Sequence, residues 1–255
     1  MAAKFEVQPV AREEVLILRE LYRQEMNCQI VHDAWLQRGF AAPYLLLCDG
    51  AIAGYGAVTI GPVLEAGMLH EFYVLPRYRA AAAPLFRCLL NHSNAANIRA
   101  QTNDVLLALL LYDFAQDVVS DTILFHDACT TELSSAEACF RRLNENEKND
   151  VFAHTLEPVG EWGLEVAGVV AATGGFFTHY NPPYGDIYME VAQPFQKRGL
   201  GSFLVQELKR VCYEAGKKPA ARCHANNVAS RRTLERAGLL PCARILWGRV
   251  STDKL

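Results

Sequence analysis

Over residues 186–215 the spacing of apolar positions changes character. Asp186-Ile-Tyr-Met-Glu-Val191 reads as a β-strand. Further on, Leu204, Leu208, Val211 and Ala215 form one stripe, with Glu207, Lys209, Arg210 and Glu214 off it, which predicts a helix over Gly201–Ala215. Gly216 supplies its C-terminal stop. Pro219–Ala225 and Arg244–Val250 read as two further strands, with an Asn227-led helix between them.

A weaker copy of this pattern lies upstream. Ile52-Ala-Gly54 precedes Tyr-Gly-Ala-Val, and Val166-Ala-Gly168 precedes Val-Val-Ala-Ala. Each resembles the return strand of a hairpin entered through a tight turn. Val74-Leu-Pro-Arg-Tyr-Arg79 recurs as Val191-Ala-Gln-Pro-Phe-Gln196, and both lead into helix-like runs, Leu85–Leu90 and Phe203–Ala215. The shared order and the near-equal offsets predict duplication of one α/β unit. The boundary is expected near residue 130, giving units 1–130 and 131–255. Thr122–Phe125 is then the last strand of the first unit. Ser134-Ser-Ala-Glu137 reads as a capping box opening a helix, and Asn144–Asp150 as a solvated loop.

Composition narrows the setting. A 255-residue chain that is 51% hydrophobic and 21% charged has ample material for a globular core. No apolar leader follows Met1, and the run Val105–Tyr112 falls far short of the roughly 20 residues a membrane-spanning helix needs. The eight cysteines (28, 48, 88, 129, 139, 212, 223 and 242) form no CxxC pair and have no nearby histidine cluster. They read as free thiols of a cytoplasmic protein without a structural metal. Net charge is −3, so no whole-chain basic field points to nucleic acid. Charge is uneven, however. Gln196–Arg236 holds ten cations and three anions, a balance of +7, which suits a small polyanion.

The turn Gln196-Lys-Arg-Gly-Leu-Gly201 sits between the strand and the helix. A strand–turn–helix junction leaves the first helical N–H groups without intrahelical partners and adds the positive end of the helix dipole, so it favours an anion, with an ordinary helix entry as the alternative. Glycines there permit positive φ and remove side chains from the anion's approach. A Walker A loop would need a lysine after the last glycine, and a dinucleotide fingerprint would need a third glycine and a later acid. Neither is present.

The pattern Val-x-x-x-Phe-Gln-x-x-Gly-x-Gly resembles motif A of the GNAT superfamily of acyl-CoA-dependent N-acyltransferases, matched by Gln196, Gly199 and Gly201. Asn227-Val-Ala-Ser230 and Leu234-Glu-Arg-Ala-Gly-Leu239 resemble the following block in the branch that acetylates ribosomal-protein N-termini. The resemblance spans roughly residues 150–250. It implies an α/β (α+β) fold of two tandem GNAT-like units, each a mixed, mostly antiparallel sheet flanked by helices. It also implies acetyl-CoA as co-substrate, with no metal, no nucleic acid and no membrane partner.

Carried over by position, the resemblance implies that the amides around Arg198, Gly199, Leu200, Gly201 and Ser202 cradle the pyrophosphate. Lys197, Arg198 and Arg231 or Arg232 neutralise it. Val191 and Ala192 run beside the pantetheine, with Asn227 opposite. Transfer to an amine requires proton removal, oxyanion stabilisation and accommodation of a thiolate. Asp186 is the first candidate base and Glu190 the second, each with a solvated strand-edge carboxylate as the alternative. The Val191 amide is the oxyanion donor. The family's usual tyrosine acid is replaced by Leu234, which cannot donate a proton, and Ser230 is the remaining candidate, with a helix cap as its alternative. His179, Tyr180 and Tyr184 lie where an acceptor amine, small molecule or peptide, would enter. Tyr213 is expected to pack, and His224 to end a strand without catalytic duty.

In the first unit Arg79-Ala-Ala-Ala-Ala-Pro84 replaces the glycine turn. Proline has no N–H to offer and alanine narrows the approach, so this unit is expected to have lost CoA binding and to support the second. Two other readings stay open. One is a non-catalytic CoA-binding regulatory module, which Leu234 favours. The other is an aminoacyl-tRNA-dependent transferase on a doubled GNAT fold, opposed by the acidic balance (−5) of residues 1–130.

Overall fold

A computed structural model describes residues 3–26, 33–61, 66–149, 151–179 and 182–254. The chain forms two compact units, Met1–Asp121 with Ala243–Leu255, and Thr122–Cys242. In order, the elements that begin in the first are β1 (Phe5–Pro9), α1 (Leu16–Met26), α2 (Asp33–Gln37), β2 (Ala41–Cys48), β3 (Ala51–Thr59), β4 (Met68–Val74), α3 (Ala82–Ser93), β5 (Asn97–Gln101), α4 (Val105–Phe114) and β6 (Ala115–Asp127). In the second begin β7 (Ala138–Arg142), α5 (Glu145–Lys148), β8 (Trp162–Val166), β9 (Val169–Phe177), β10 (Tyr184–Val191), α6 (Leu200–Glu214), β11 (Lys218–His224), α7 (Val228–Arg236) and β12 (Leu239–Val250).

Each unit is a mixed, mostly antiparallel sheet with helices. In the first, β1 to β4 run as an antiparallel meander and β5 joins β4 in parallel. In the second, β7 to β10 repeat the meander and β11 joins β10 in parallel. The cores form where the apolar stripes of α3 and α6 meet these sheets. Leu85, Phe86 and Leu89 pack with Phe72 and Val74, and Leu200, Leu204 and Leu208 pack with Ile187.

The duplication is written into the backbone. Asp49-Gly50 and Ala167-Gly168, all at positive φ, make the two equivalent hairpin turns. The first unit's turn is therefore Asp49-Gly50. Gly54, aligned with Gly168 by motif, lies inside β3, where a Cβ would stand 2.0 Å from the Tyr73 carbonyl oxygen. A bulge falls at Ala53 in one unit and at Ala171 in the other. The Ala53 carbonyl accepts from Leu75 N–H at 2.8 Å, and the Ala171 carbonyl from Ala192 N–H at 2.9 Å.

Three expectations are corrected. Thr122–His126 pairs with β11 in the second unit, and Ile245–Arg249 pairs with β5 in the first, so each closing strand serves the unit opposite to the one its position suggested. Ser134–Glu137 opens no helix. The segment leads into β7, held by Gln206 of α6, whose Oε1 accepts from Leu133 N–H at 2.6 Å and whose Nε2 donates to the Leu133 carbonyl at 2.9 Å. The capping box lies instead at Asn144–Glu147 and starts α5, inside the expected loop.

The first unit buries a charged cluster. Arg19 donates to both carboxylate oxygens of Glu71, at 2.9 and 2.8 Å, and to Asp33 at 2.5 Å. Burial pushes the Glu71 carboxyl up, but the Arg19 guanidinium wins and holds it near about 2. Replacing Arg19 with alanine leaves the buried Glu71 carboxylate without its cation, while Asp33 keeps Arg23 at 2.6 Å, and is expected to cost about 3–5 kcal/mol in urea unfolding. The same pair makes the wild type lose stability as pH falls from the ordinary carboxylate range toward about 2, because the unfolded state then binds the proton first. No described helix is long and apolar enough to cross a membrane.

Candidate functional site

The site is set by β10 and the turn beyond its end. Ala192 N–H bonds to Ala171 of the neighbouring strand, so Asp186, Tyr188 and Glu190 exchange ladder bonds with β9, while Ile187, Met189 and Val191 turn N–H and C=O the other way. On that side β11 pairs with Tyr184 through Ile187 and no further. Past Ile187 the strands part, leaving the Met189 and Val191 backbone on an open edge. Gln196 occupies the Val191 carbonyl, its Nε2 donating at 3.1 Å. The Val191 amide thus faces the opening.

A short 3₁₀ turn, Gln193–Phe195, then carries the chain to α6. Lys197 (φ 62°) and Gly199 (φ 82°) are both left-handed. The first backbone bond beyond this turn is Phe203 N–H to Gly199 O at 3.2 Å, and among the described residues none of the amides of residues 197–202 donates to a backbone carbonyl. Six N–H groups therefore lack a backbone partner at the positive end of a fifteen-residue helix. The two glycines do different things. Gly199 supplies the backbone reversal. At Gly201 a Cβ would stand 3.1 Å from Thr233 Cγ2 and 3.3 Å from Met189 Cε, so its role is close packing of α6 on β10 and α7.

The cations sort unevenly. Arg198 is held by both oxygens of Glu137, with Nε to Oε1 at 3.2 Å, and stacks over Phe195. Arg231 pairs with Glu235 at 2.8 Å. Lys197 and Arg232 make no ion pair among the described residues. Arg236 went unremarked in the sequence beyond its charge, yet both its terminal nitrogens lie about where a Gly199 side chain would reach, 3.8 and 4.0 Å from that Cβ position.

The opposite face of β10 carries the titratable groups. Asp186 is buried, and Arg222 Nε reaches its Oδ2 at 3.1 Å, while its Oδ1 has no hydrogen-bond partner. Burial pushes its carboxyl up, Arg222 pulls it down and Glu157 raises it again, leaving it at about 6. Glu190 is engaged differently. Its carboxylate accepts from the amides of Thr155, Leu156 and Glu157 and from the Thr155 hydroxyl. Burial raises it, but these donors hold it below the ordinary range, so Glu190 anchors a strap instead of standing ready for a proton. His154 joins that anchor: its Nδ1 lies 2.9 Å from the Glu157 carbonyl, and its Nε2 2.9 Å from Thr173 Oγ1. A carbonyl can only accept, so Nδ1 carries a proton. Tyr188 stacks on Phe177 with centroids 4.3 Å apart.

The remaining candidates have other places. Asn227 is itself the N-cap of α7, accepting from Ser230 N–H at 2.9 Å, so Ser230 is not the cap, and its side chain lies beside Cys223. Leu234 is core. His179 and Tyr184 flank the entry to β10, and Phe177 lies 5.2 Å from the His179 ring. Tyr180 lies outside the described residues. His224 accepts Asn226 N–H at 3.1 Å and finishes its strand. Tyr213, expected to pack, is 47% exposed. Arg222, Glu157, His154 and Arg236 were missed as site residues. Strand alternation two places beyond Ala220 was the signal available for Arg222, and loop residues carried none. A cavity of about 600 Å³ opens by Ala192, Pro194 and Phe195, at the turn end of β10 and away from Asp186.

In the first unit β4 pairs with β5 only through Leu69, and Tyr22, His70 and Arg99 line a cavity of about 10 Å³ beside that junction. Arg79 turns back to donate to the Val74 carbonyl and pairs with Glu25.

Comparison with known proteins agrees with this geometry. Residues 125–239 match the Acetyltransferase (GNAT) family. No curated protein matches the chain. Among solved structures, a GNAT-family acetyltransferase from Colwellia psychrerythraea is similar at 16% identity and a TM-score of 0.72, covering 96% of this chain and 100% of that one. A GCN5-related N-acetyltransferase from Sphaerobacter thermophilus is similar at 14% identity and a TM-score of 0.61, over 96% and 95%. A tandem GNAT protein from the clavulanic acid biosynthesis pathway is similar at 12% identity and a TM-score of 0.60, over 97% and 99%. Residues 125–239 thus match the GNAT acetyltransferase family, and over nearly the whole chain the fold is that of these solved structures, a tandem GNAT protein among them.

Proposed function

We propose that the second unit transfers an acyl group, acetyl in the first instance, from acyl-CoA to a primary amine within a ternary complex. One observation carries this reading: six unbonded amides at 197–202 stand at the end of a strand whose edge is open from Met189 to Val191. The diphosphate takes the amides, and the pantetheine amides take the strand edge. The acceptor nitrogen attacks the thioester carbon and gives up a proton that reaches Asp186 through a chain of waters, because Asp186 lies five residues before Val191 along β10. The oxyanion is met by the Val191 N–H. The C–S bond then breaks, and the thiolate, steadied by the Ser230 hydroxyl, takes a proton from solvent.

The first unit, with Ala82 and Pro84 where the second has its two glycines, takes no CoA in this reading. The expected result of calorimetry on the full chain is one acetyl-CoA site, and thiol is released when a reactive amine from a panel of small amines and peptides is added. Binding without thiol release from any amine would favour the regulatory module. Absence of binding would end the proposal.

A further inference from the structure

The cation that closes on the ligand's diphosphate sits on α7, not on the glycine turn. Resting on the acyl-CoA reading above, we infer that Arg236 clamps the diphosphate from the side facing the amides, while Glu137 keeps Arg198 away from it. Three observations converge. Gly199 is left-handed, and its missing side chain leaves the space in front of its Cα open to both terminal nitrogens of Arg236, at 3.8 and 4.0 Å from the Cβ position. A guanidinium presenting two nitrogens matches two oxygens of a phosphate in a way a lysine does not. Arg236 makes no ion pair among the described residues, so nothing anionic need be displaced before it binds.

Two of the competing cations are committed elsewhere. Arg198 faces Glu137 at the start of β7, with its guanidinium over the Phe195 ring, and Arg231 is tied along α7 to Glu235. Placement of Arg236 is also fixed from below. Thr233, one turn earlier on α7, sits against Gly201, and Leu234 and Ala237 are buried in the core of the unit. Gly201 therefore sets how near α7 approaches the turn, and Arg236 is carried with it.

The test titrates full-length wild type, R236Q, R236K and R198Q with CoA and with 3′-dephospho-CoA, read by calorimetry. The expected result is that R236Q weakens both ligands by the same factor, roughly 10- to 100-fold, the size of a lost charge-assisted pair. R236K recovers part of that, and R198Q weakens binding less than R236Q. If R198Q costs more than R236Q, or if R236Q weakens CoA but not 3′-dephospho-CoA, the diphosphate assignment is overturned, the second outcome placing Arg236 on the 3′-phosphate. If wild type binds neither ligand, the acyl-CoA reading itself fails.

Discussion

Deleting residues 243–255 is expected to unfold the first unit, although the whole of the second unit, Thr122–Cys242, separates the deleted segment from the rest of it in sequence. Ile245 to Arg249 form the partner strand of β5, and Ile245 and Leu246 are 4% and 6% exposed. Burial of two such side chains contributes about 1.5–3 kcal/mol each, before the lost ladder is counted. A domain's whole stability is about 5–15 kcal/mol, so the loss takes the unit to its margin. Amide hydrogen exchange provides the measurement. Protection is expected to vanish at Asn97–Gln101 and to persist at Ala220–His224, whose partner strand is Thr122–His126. Protection lost from Ala220–His224 instead would mean that the last strand serves the second unit.

Replacing Asp186 with asparagine is expected to lower the rate of acyl transfer by about 10²–10⁴-fold, the usual contribution of a placed base, with acetyl-CoA affinity retained. The geometry behind this is a buried carboxylate with one oxygen on Arg222 and the other without a partner. Its carboxyl stands at about 6, so the wild-type rate should fall as pH drops through that value, where the carboxylate takes up the proton it must keep free. The variant should lose this limb. Glu190→Gln behaves differently in this account: it weakens the strap at 155–157 and leaves the limb near pH 6 in place. An asparagine variant with full rate and an unchanged pH profile would remove Asp186 from the chemistry.

Much of the second unit was legible along the chain. The α6 stripe, the strand ending at Val191, the glycine turn and the strand at Pro219–Ala225 all depend on neighbours a few residues apart, which is the range over which periodicity and turn chemistry act. The repeat was legible too, but its first register slipped. Gly54 resembles Gly168 by its neighbours, whereas the true counterpart of Ala167-Gly168 is Asp49-Gly50, because positive φ at two successive residues is what closes the turn.

Choices among carboxylates and cations were not legible. Asp186 and Glu190 alternate onto one face of one strand, and only the strap at 154–157 decides that Glu190 is consumed by amides while Asp186 keeps an unpartnered oxygen. Arg198 was expected at the phosphates together with Lys197 and Arg231 or Arg232, but Glu137, 61 residues away, pairs with it. By itself the sequence determined the local elements, the duplication and the glycine turn, since each arises from backbone preferences and short-range hydrophobic spacing. Tertiary structure alone decided which strand closes which sheet and which charges are spent. Strand edges accept any partner with the right backbone groups, and a charge is neutralised by whatever the fold brings within a few ångströms.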